Sequence, residues 1–240
     1  MPHFFVDEEI ESKEYSLCGE DGRHIAKSLR MKEGENLTLC SPSGTVHNCV
    51  IQKAEGDFVE VRVLSSEQSE AEPNVKVTLY QALPKGDKMD FIIQKAVEIG
   101  VTEIVPVISS RCVSRPDQKS LNKKVVRWQK IAKQAAMQSG RGIVPKVSEA
   151  VSFKNGVENA KGEKVIFYEL GGEGVREILS DKPKEISIFI GSEGGFSGEE
   201  VDLVLKNDGR KATLGKRILR AETAPLVALT VIMYETNNLE

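Results

Sequence analysis

A chain of 240 residues, 40% hydrophobic and 29% charged, has the material for one large folded domain or two modest ones, and its composition excludes a disordered or fibrous protein. No apolar run approaches the ~20 residues of a membrane-spanning helix, and a start that turns acidic at Asp7 lacks the layout of a secretory leader, so a cytoplasmic protein is expected. The net charge of −3 hides an asymmetry: residues 1–72 carry 7 Lys and Arg against 15 Asp and Glu, a net −8, and the remainder carries 26 against 21, a net +5.

The first seventy residues read as short strands between turn signals. His3–Asp7 is an expected strand, and Asp21 is placed to cap a short helix running to about Leu29. Glu35–Cys40, the turn Ser41–Gly44, Thr45–Ala54, the Gly56–Asp57 turn and Phe58–Ser65 follow as a meander, a spacing that suggests a small β-barrel. Ser65–Asn74 is polar, aperiodic and contains Pro73, which sets the expected boundary between a domain at 1–72 and another at 73–240.

Beyond it the pattern changes to alternating strands and helices. Val75–Leu83 predicts a strand, and Lys88–Ile99 a helix stopped by Gly100. Glu103–Ser109 predicts a second strand. Ser120–Ser139 predicts a helix with Val125, Trp128, Ala132 and Ala135 on one face and Lys123, Arg127 and Lys130 on another. Val165–Leu170 and Ile186–Ile190 have the composition of buried strands, and Ser197 with Glu200 forms a capping box for a helix through Asn207. A last strand at Lys211–Gly215 and an apolar helix at Ala224–Thr236, with Pro225 in its first turn, complete an α/β class with a mostly parallel sheet.

Three glycine-bearing loops follow strands in the C-terminal half: Tyr168–Gly172, Gly191–Gly195 and Leu214–Leu219. Glycine lets backbone approach a ligand closely, and open α/β sheets bind ligands beyond the carboxyl ends of their strands. One such loop is commonly a turn; three within seventy residues point to a pocket. No P-loop and no dinucleotide fingerprint is present, which leaves a Rossmann-type oxidoreductase unsupported. All three histidines (His3, His24, His47) lie in the first segment, away from the loops, and the four dispersed cysteines offer neither a zinc set nor a disulfide framework, so no metal is expected.

Glu193, Arg217, Arg220 and Glu222 remain as charged residues among the glycines and apolar segments, where burial requires pairing; an Arg220–Glu222 or Arg–Glu193 pair that closes the fold is the plain alternative to a reactive site. Between Arg111 and Lys146 lie ten basic residues and one acidic residue, Asp117. Such a block suits a polyanion, although a solvated helix face would carry the same charges.

Lys85–Lys95 with Glu98–Val101, Arg127-Trp128, Gln138–Arg141, Gly191–Gly195, Leu214–Ala224 and His24–Gly34 closely resemble, in order and over nearly the whole chain, one family: the bacterial 16S ribosomal RNA uridine-N3 methyltransferases of the SPOUT superfamily. The resemblance implies a PUA-like β-barrel, an RNA-binding domain, followed by a SPOUT-type parallel-sheet domain with a C-terminal trefoil knot. It implies an S-adenosyl-L-methionine cofactor, 16S rRNA of the small ribosomal subunit as partner, and a homodimer.

Carried over by position, the cofactor-binding residues are Leu170, Gly171 and Gly172 of the first loop and Gly191, Ser192, Glu193, Gly194 and Gly195 of the second. The third loop adds Leu214, Gly215, Arg217, Ile218 and Leu219. The catalytic candidates are Arg220, as the cation facing the charge that develops on the uracil, and Glu222 or Glu193, to orient Arg220 or accept the proton. The RNA-binding candidates are Arg111, Arg115, Lys123, Lys124, Arg127, Lys130 and Arg141, which would hold phosphates without reading sequence. Two positions depart from the family pattern: Ser192 replaces a proline in the second loop, and His3 stands where the family often carries Arg. A non-catalytic RNA-binding or assembly factor, or a SPOUT methyltransferase acting on another RNA, are the alternative readings.

Overall fold

A computed structural model of the protein describes residues 1–239. The chain divides into two compact units, one of residues 1–72 with 136–144, the other of residues 73–135 with 145–240.

In the first unit the strands are β1 (His3–Phe5), β2 (Glu14–Leu17), β3 (Asn36–Cys40), β4 (Thr45–Glu55) and β5 (Phe58–Gln68), with a short helix α1 (Gly19–Arg23) after β2. They form one five-stranded sheet in the order β1-β3-β4-β5-β2. The β3-β4-β5 meander is antiparallel and β1 joins β3 in parallel. The alternation of the sequence drives this sheet: Leu37, Leu39, Cys49, Ile51, Val59 and Val61 all turn to one fully buried cluster with Phe4, Leu17 and Ile25. Each large aliphatic side chain so removed from water contributes roughly 1.5–3 kcal/mol.

Three local expectations need correction. Asp21 does not cap the helix; Cys18 occupies the N-cap and Asp21 sits inside the first turn. The helix ends at Arg23 and passes into a π-turn over His24–Ser28 instead of continuing to Leu29. Strand β5 runs to Gln68, so the polar stretch at its end is still paired with β4.

The second unit is built on a sheet of seven strands. In chain order its elements are β6 (Lys76–Ala82), α2 (Lys88–Ile99), β7 (Glu103–Ile108), α3 (Gln118–Ser139, its last turn counted with the first unit), β8 (Lys146–Val147), β9 (Val151–Ser152) and α4 (Phe153–Asn159). These lead to β10 (Glu163–Phe167), α5 (Val175–Ile178), β11 (Glu185–Ile190), α6 (Gly198–Lys206), β12 (Arg210–Ala212) and α7 (Ala224–Glu235). The sheet order is β12-β10-β11-β6-β7-β8, with β9 also on β7, and every pairing is parallel. Ile186–Ile190 is buried at every position, apolar except for Ser187, as a strand covered on both faces requires.

Helix α2 spans Lys88–Ile99 and stops where Gly100 takes φ 116°, a left-handed position open to glycine. Helix α6 starts on the expected capping box, the Ser197 hydroxyl accepting from the Glu200 N–H. The buried Glu200 carboxylate accepts from the Ser197 N–H at 2.9 Å and also from the Ser110 N–H, beyond β7, at 2.7 Å. Helices α2 and α5 pack on α7, and α4 packs on α6. No helix among the described residues is long and apolar enough to cross a membrane.

Candidate functional site

A cavity of about 560 Å³ opens beyond the carboxyl ends of β10, β11 and β12, within the size range of small-molecule sites. The second and third glycine loops form most of its wall: Gly191–Gly195 contributes every residue, and Leu214, Gly215, Arg217, Ile218 and Leu219 face it with Arg220. The first loop behaves differently. Tyr168 and Glu169 line the cavity, whereas Leu170, Gly171 and Gly172 do not.

The reason is local. A Cβ on Gly172 would lie 2.5 Å from the Lys211 carbonyl oxygen, and the next residue donates its N–H to that same carbonyl. The chain at Gly172 is therefore laid against β12, and Leu170 turns to solvent at 76% exposure.

The second loop folds tightly on itself. The Gly195 N–H donates to the Ser192 carbonyl, and a Cβ on Gly191 would come within 3.0 Å of the Gly195 Cα. From the floor, the buried Gln81 amide on β6 donates to the Gly191 carbonyl at 3.3 Å. From the side, Arg111 donates to the Gly194 carbonyl at 3.1 Å. The Ser192 hydroxyl, standing where the family pattern has proline, is buried without a hydrogen-bond partner among the described residues.

The two candidate carboxylates meet at a residue the sequence reading passed over. Lys88 Nζ, from the first turn of α2, lies 2.7 Å from Glu193 Oε1 and 3.2 Å from Glu222 Oε2. The Lys85 N–H also points at the Glu193 carboxylate, at 3.2 and 3.3 Å. No ion pair joins Arg220 to either carboxylate among the described residues; the expected partner Arg220 gives way to Lys88. Partial burial would raise the Glu193 carboxyl, but the Lys88 hydrogen bond and the backbone N–H donors outweigh it and hold it below the ordinary carboxylate range. Glu222 is lowered first by its own backbone N–H, against burial, with Lys88 and the more distant Arg220 adding to the effect. Lys88 is raised in turn, by its bond to Glu193 first and Glu222 second.

The basic candidates do not share one fate. Lys123, Arg127 and Lys130 stand exposed on α3, with Lys124 half-buried beside them. Arg127 is also drawn to Asp90, whose other oxygen accepts from the Trp128 indole. Arg115 directs its guanidinium to the carbonyls of Cys112 and Ser110 and so braces its own loop. Arg141 requires correction as a phosphate contact: it is 3% exposed, and its guanidinium is held by Glu72 within the first unit. Among the described residues no group of three or more His, Cys, Asp or Glu is arranged to hold a metal.

Residues 71–233 match the RNA methyltransferase domain family and residues 17–64 the RNA methyltransferase PUA domain. The chain is 37% identical to ribosomal RNA small subunit methyltransferase E of Bacillus subtilis, over 98% of this chain and 97% of that protein. The chain belongs to the ribosomal RNA small subunit methyltransferase E family. A second member, from Mesomycoplasma hyopneumoniae, is 36% identical over 96% of this chain and 98% of its own. Among solved structures, that of ribosomal RNA small subunit methyltransferase E from Neisseria gonorrhoeae bound to S-adenosyl methionine superposes with a TM-score of 0.90 at 32% identity, covering 98% of this chain and 97% of the other.

Membership in the methyltransferase E family accounts for the split between loops and helix. The glycine loops shape a cavity that suits a nucleoside-sized ligand, with backbone N–H and carbonyl groups at close range. The exposed cations Lys123, Arg127 and Lys130 lie on α3, outside the cavity wall, whereas Arg217 and Arg220 line it.

Proposed function

We propose that the chain is an S-adenosyl-L-methionine-dependent methyltransferase that modifies N3 of a uridine in the 16S RNA of the small ribosomal subunit. The observation that carries this reading is the cavity at the carboxyl ends of β10–β12, walled by two glycine loops and bordered by a lysine held between two carboxylates. The uridine-N3 assignment rests on the family resemblance of the ordered motifs.

The cavity fits the cofactor in size, and the unpartnered Ser192 hydroxyl offers a buried polar atom of the kind a bound ligand satisfies. Gly191–Gly195 and Leu214–Leu219 would hold the cofactor, with Tyr168 and Glu169 in place of Leu170–Gly172 from the first loop. When bound, the cofactor would supply an electrophilic methyl group, and the acceptor N3 would have to give up its proton to solvent. The residues of this chain align the acceptor, exclude water and neutralise the charge that N3 deprotonation places on the uracil carbonyls. Arg220, which lines the cavity, is a candidate for that neutralisation.

Lys123, Lys124, Arg127 and Lys130 on α3 would bind the RNA backbone, with Arg111 and Arg115 near the glycine loop. Reaching N3 requires a single-stranded or extruded uridine. Two copies would associate as the resemblance implies, and α7 supports this with Val227, Val231 and Tyr234 as an incompletely covered apolar stripe at helical spacing.

The test is methyl transfer from labelled S-adenosylmethionine to small subunits lacking the modification, with naked rRNA in parallel, followed by mass spectrometry of the nucleosides. N3-methyluridine is the expected product. Cofactor binding with no methylation of either substrate would refute the target, and failure to bind the cofactor would refute the reading as a whole.

A further inference from the structure

We infer that Lys88 is the cation that faces the acceptor base, and that Glu193 and Glu222 are its anchors instead of the groups that take the N3 proton; the inference rests on the uridine-N3 reading above.

The three residues come from separate elements. Lys88 opens α2, Glu193 sits in the second glycine loop, and Glu222 precedes α7. Lys88 and Glu193 line the cavity, while Glu222 is not part of its wall and has its Oε2 buried. An ammonium has three N–H donors. One makes the 2.7 Å hydrogen bond to Glu193; the 3.2 Å approach to Glu222 is an ion pair without hydrogen-bond geometry. The Lys88 side chain keeps 35% exposure and lines the cavity, which leaves a donor for a carbonyl oxygen brought into the cavity.

The chemistry separates the two roles. A general base works best when its pKa lies near the working pH. Glu193 and Glu222 are held below the ordinary carboxylate range, which moves both away from that optimum. Lys88 is shifted the other way and stays an ammonium. The site therefore promotes loss of the N3 proton by stabilising the anion: a cation beside a uracil carbonyl makes the imide a stronger acid, and the proton passes to solvent. The charged groups that face Lys88 are Glu193 and Glu222; Arg217, Arg220 and Glu169 share the cavity wall. Lys85 contributes its backbone N–H to the Glu193 anchor.

The experiment measures single-turnover methyl transfer into modification-deficient small subunits from about pH 6 to about pH 10 for the wild type, Lys88→Gln and Lys88→Arg, with S-adenosylmethionine affinity of each by calorimetry. Lys88→Gln is expected to lose about tenfold or more at neutral pH. The gap should narrow as rising pH ionises the base without help, while cofactor Kd stays within about twofold. Lys88→Arg should recover most of the rate. A loss that is flat in pH, a parallel loss of cofactor affinity, or a Lys88→Gln rate equal to the wild type would each overturn the assignment of Lys88 while leaving the methyltransferase reading in place. A wild type that binds the cofactor and forms no N3-methyluridine would overturn both.

Discussion

Arg141 and Glu72, 69 positions apart, pair with Nη2 2.5 Å from Oε2, the arginine buried and the glutamate half-buried, and the same carboxylate accepts the N–H groups of Gly142 and Ile143. Removing one partner of a fully buried pair costs roughly 3–5 kcal/mol, and the partial exposure of Glu72 lowers the figure here. Arg141→Ala should therefore lower the urea midpoint markedly. Lys53→Ala, which removes a pair 52% and 72% exposed, should change stability by less than about 1 kcal/mol. Equal effects in the two variants would contradict the assignment of Arg141 to the fold.

The Glu200 carboxylate joins two elements far apart in sequence. Ser197→Ala removes only the cap and should cost about 1 kcal/mol. Glu200→Ala takes the acceptor from the N–H groups of both Ser110 and Ser197 and removes a buried side chain, and so should cost more than the loss of the cap alone. Chemical denaturation of the two variants ranks them.

Much of this architecture was written into local patterns. The 3.6-residue period of Lys88–Ile99 and the following Gly100 give α2 its bounds, and Ser197 with Glu200 announces α6. What escaped was either short or non-local. Glu14–Leu17 is a four-residue edge strand with only Leu17 fully buried, too little alternation to stand out. Strands β8 and β9 have two residues each. The π-turn at His24–Ser28 follows a helical pattern and differs only in its hydrogen-bond spacing. Lys88 looks like any lysine in a first helical turn, since its partners lie 105 and 134 positions downstream. Arg141 sits among exposed cations in sequence and is buried in space, with Glu72 holding its guanidinium from 69 positions upstream.

Gly172 offers a test of how the cavity is held. Its Cβ position lies 2.5 Å from the Lys211 carbonyl oxygen, so Gly172→Ala forces the first loop away from β12, the strand that leads into Thr213–Leu219. S-adenosylmethionine binding is expected to weaken by about tenfold or more, 1.4 kcal/mol. Gly198→Ala, where nothing lies within 4 Å of the added methyl, should bind like the wild type in calorimetry.

Arg220 lines the cavity without an ion-pair partner in Glu193 or Glu222. Arg220→Ala should depress the methyl-transfer rate more than cofactor affinity, because its contribution is realised as charge develops. Rate and affinity falling by the same factor would reassign it to cofactor binding.

His47 is buried between the hydroxyls of Ser41 and Ser66, at 2.9 and 2.8 Å, and burial lowers it from 6.5, against a smaller opposing pull from Glu9. The unfolded chain therefore takes up the proton first as pH falls. Stability from this residue is complete above the unfolded value and declines as pH drops below it. His3, lowered chiefly by burial, acts in the same direction. The thermal midpoint should fall from about pH 7.5 to about pH 5.5, and His47→Gln should start lower and fall less steeply. An unchanged slope would remove His47 from the proton count.

The excursion at 136–144 makes the two units inseparable by a single cut. Severing the chain after Glu72 would strip the first unit of Met137, which packs on its apolar cluster, and of Arg141, leaving a carboxylate facing nothing. The larger fragment would carry nine residues evolved for a surface it no longer owned. Grafting this RNA methyltransferase's N-terminal unit onto another enzyme therefore takes three junctions instead of one, because the unit is built from two separate stretches of chain.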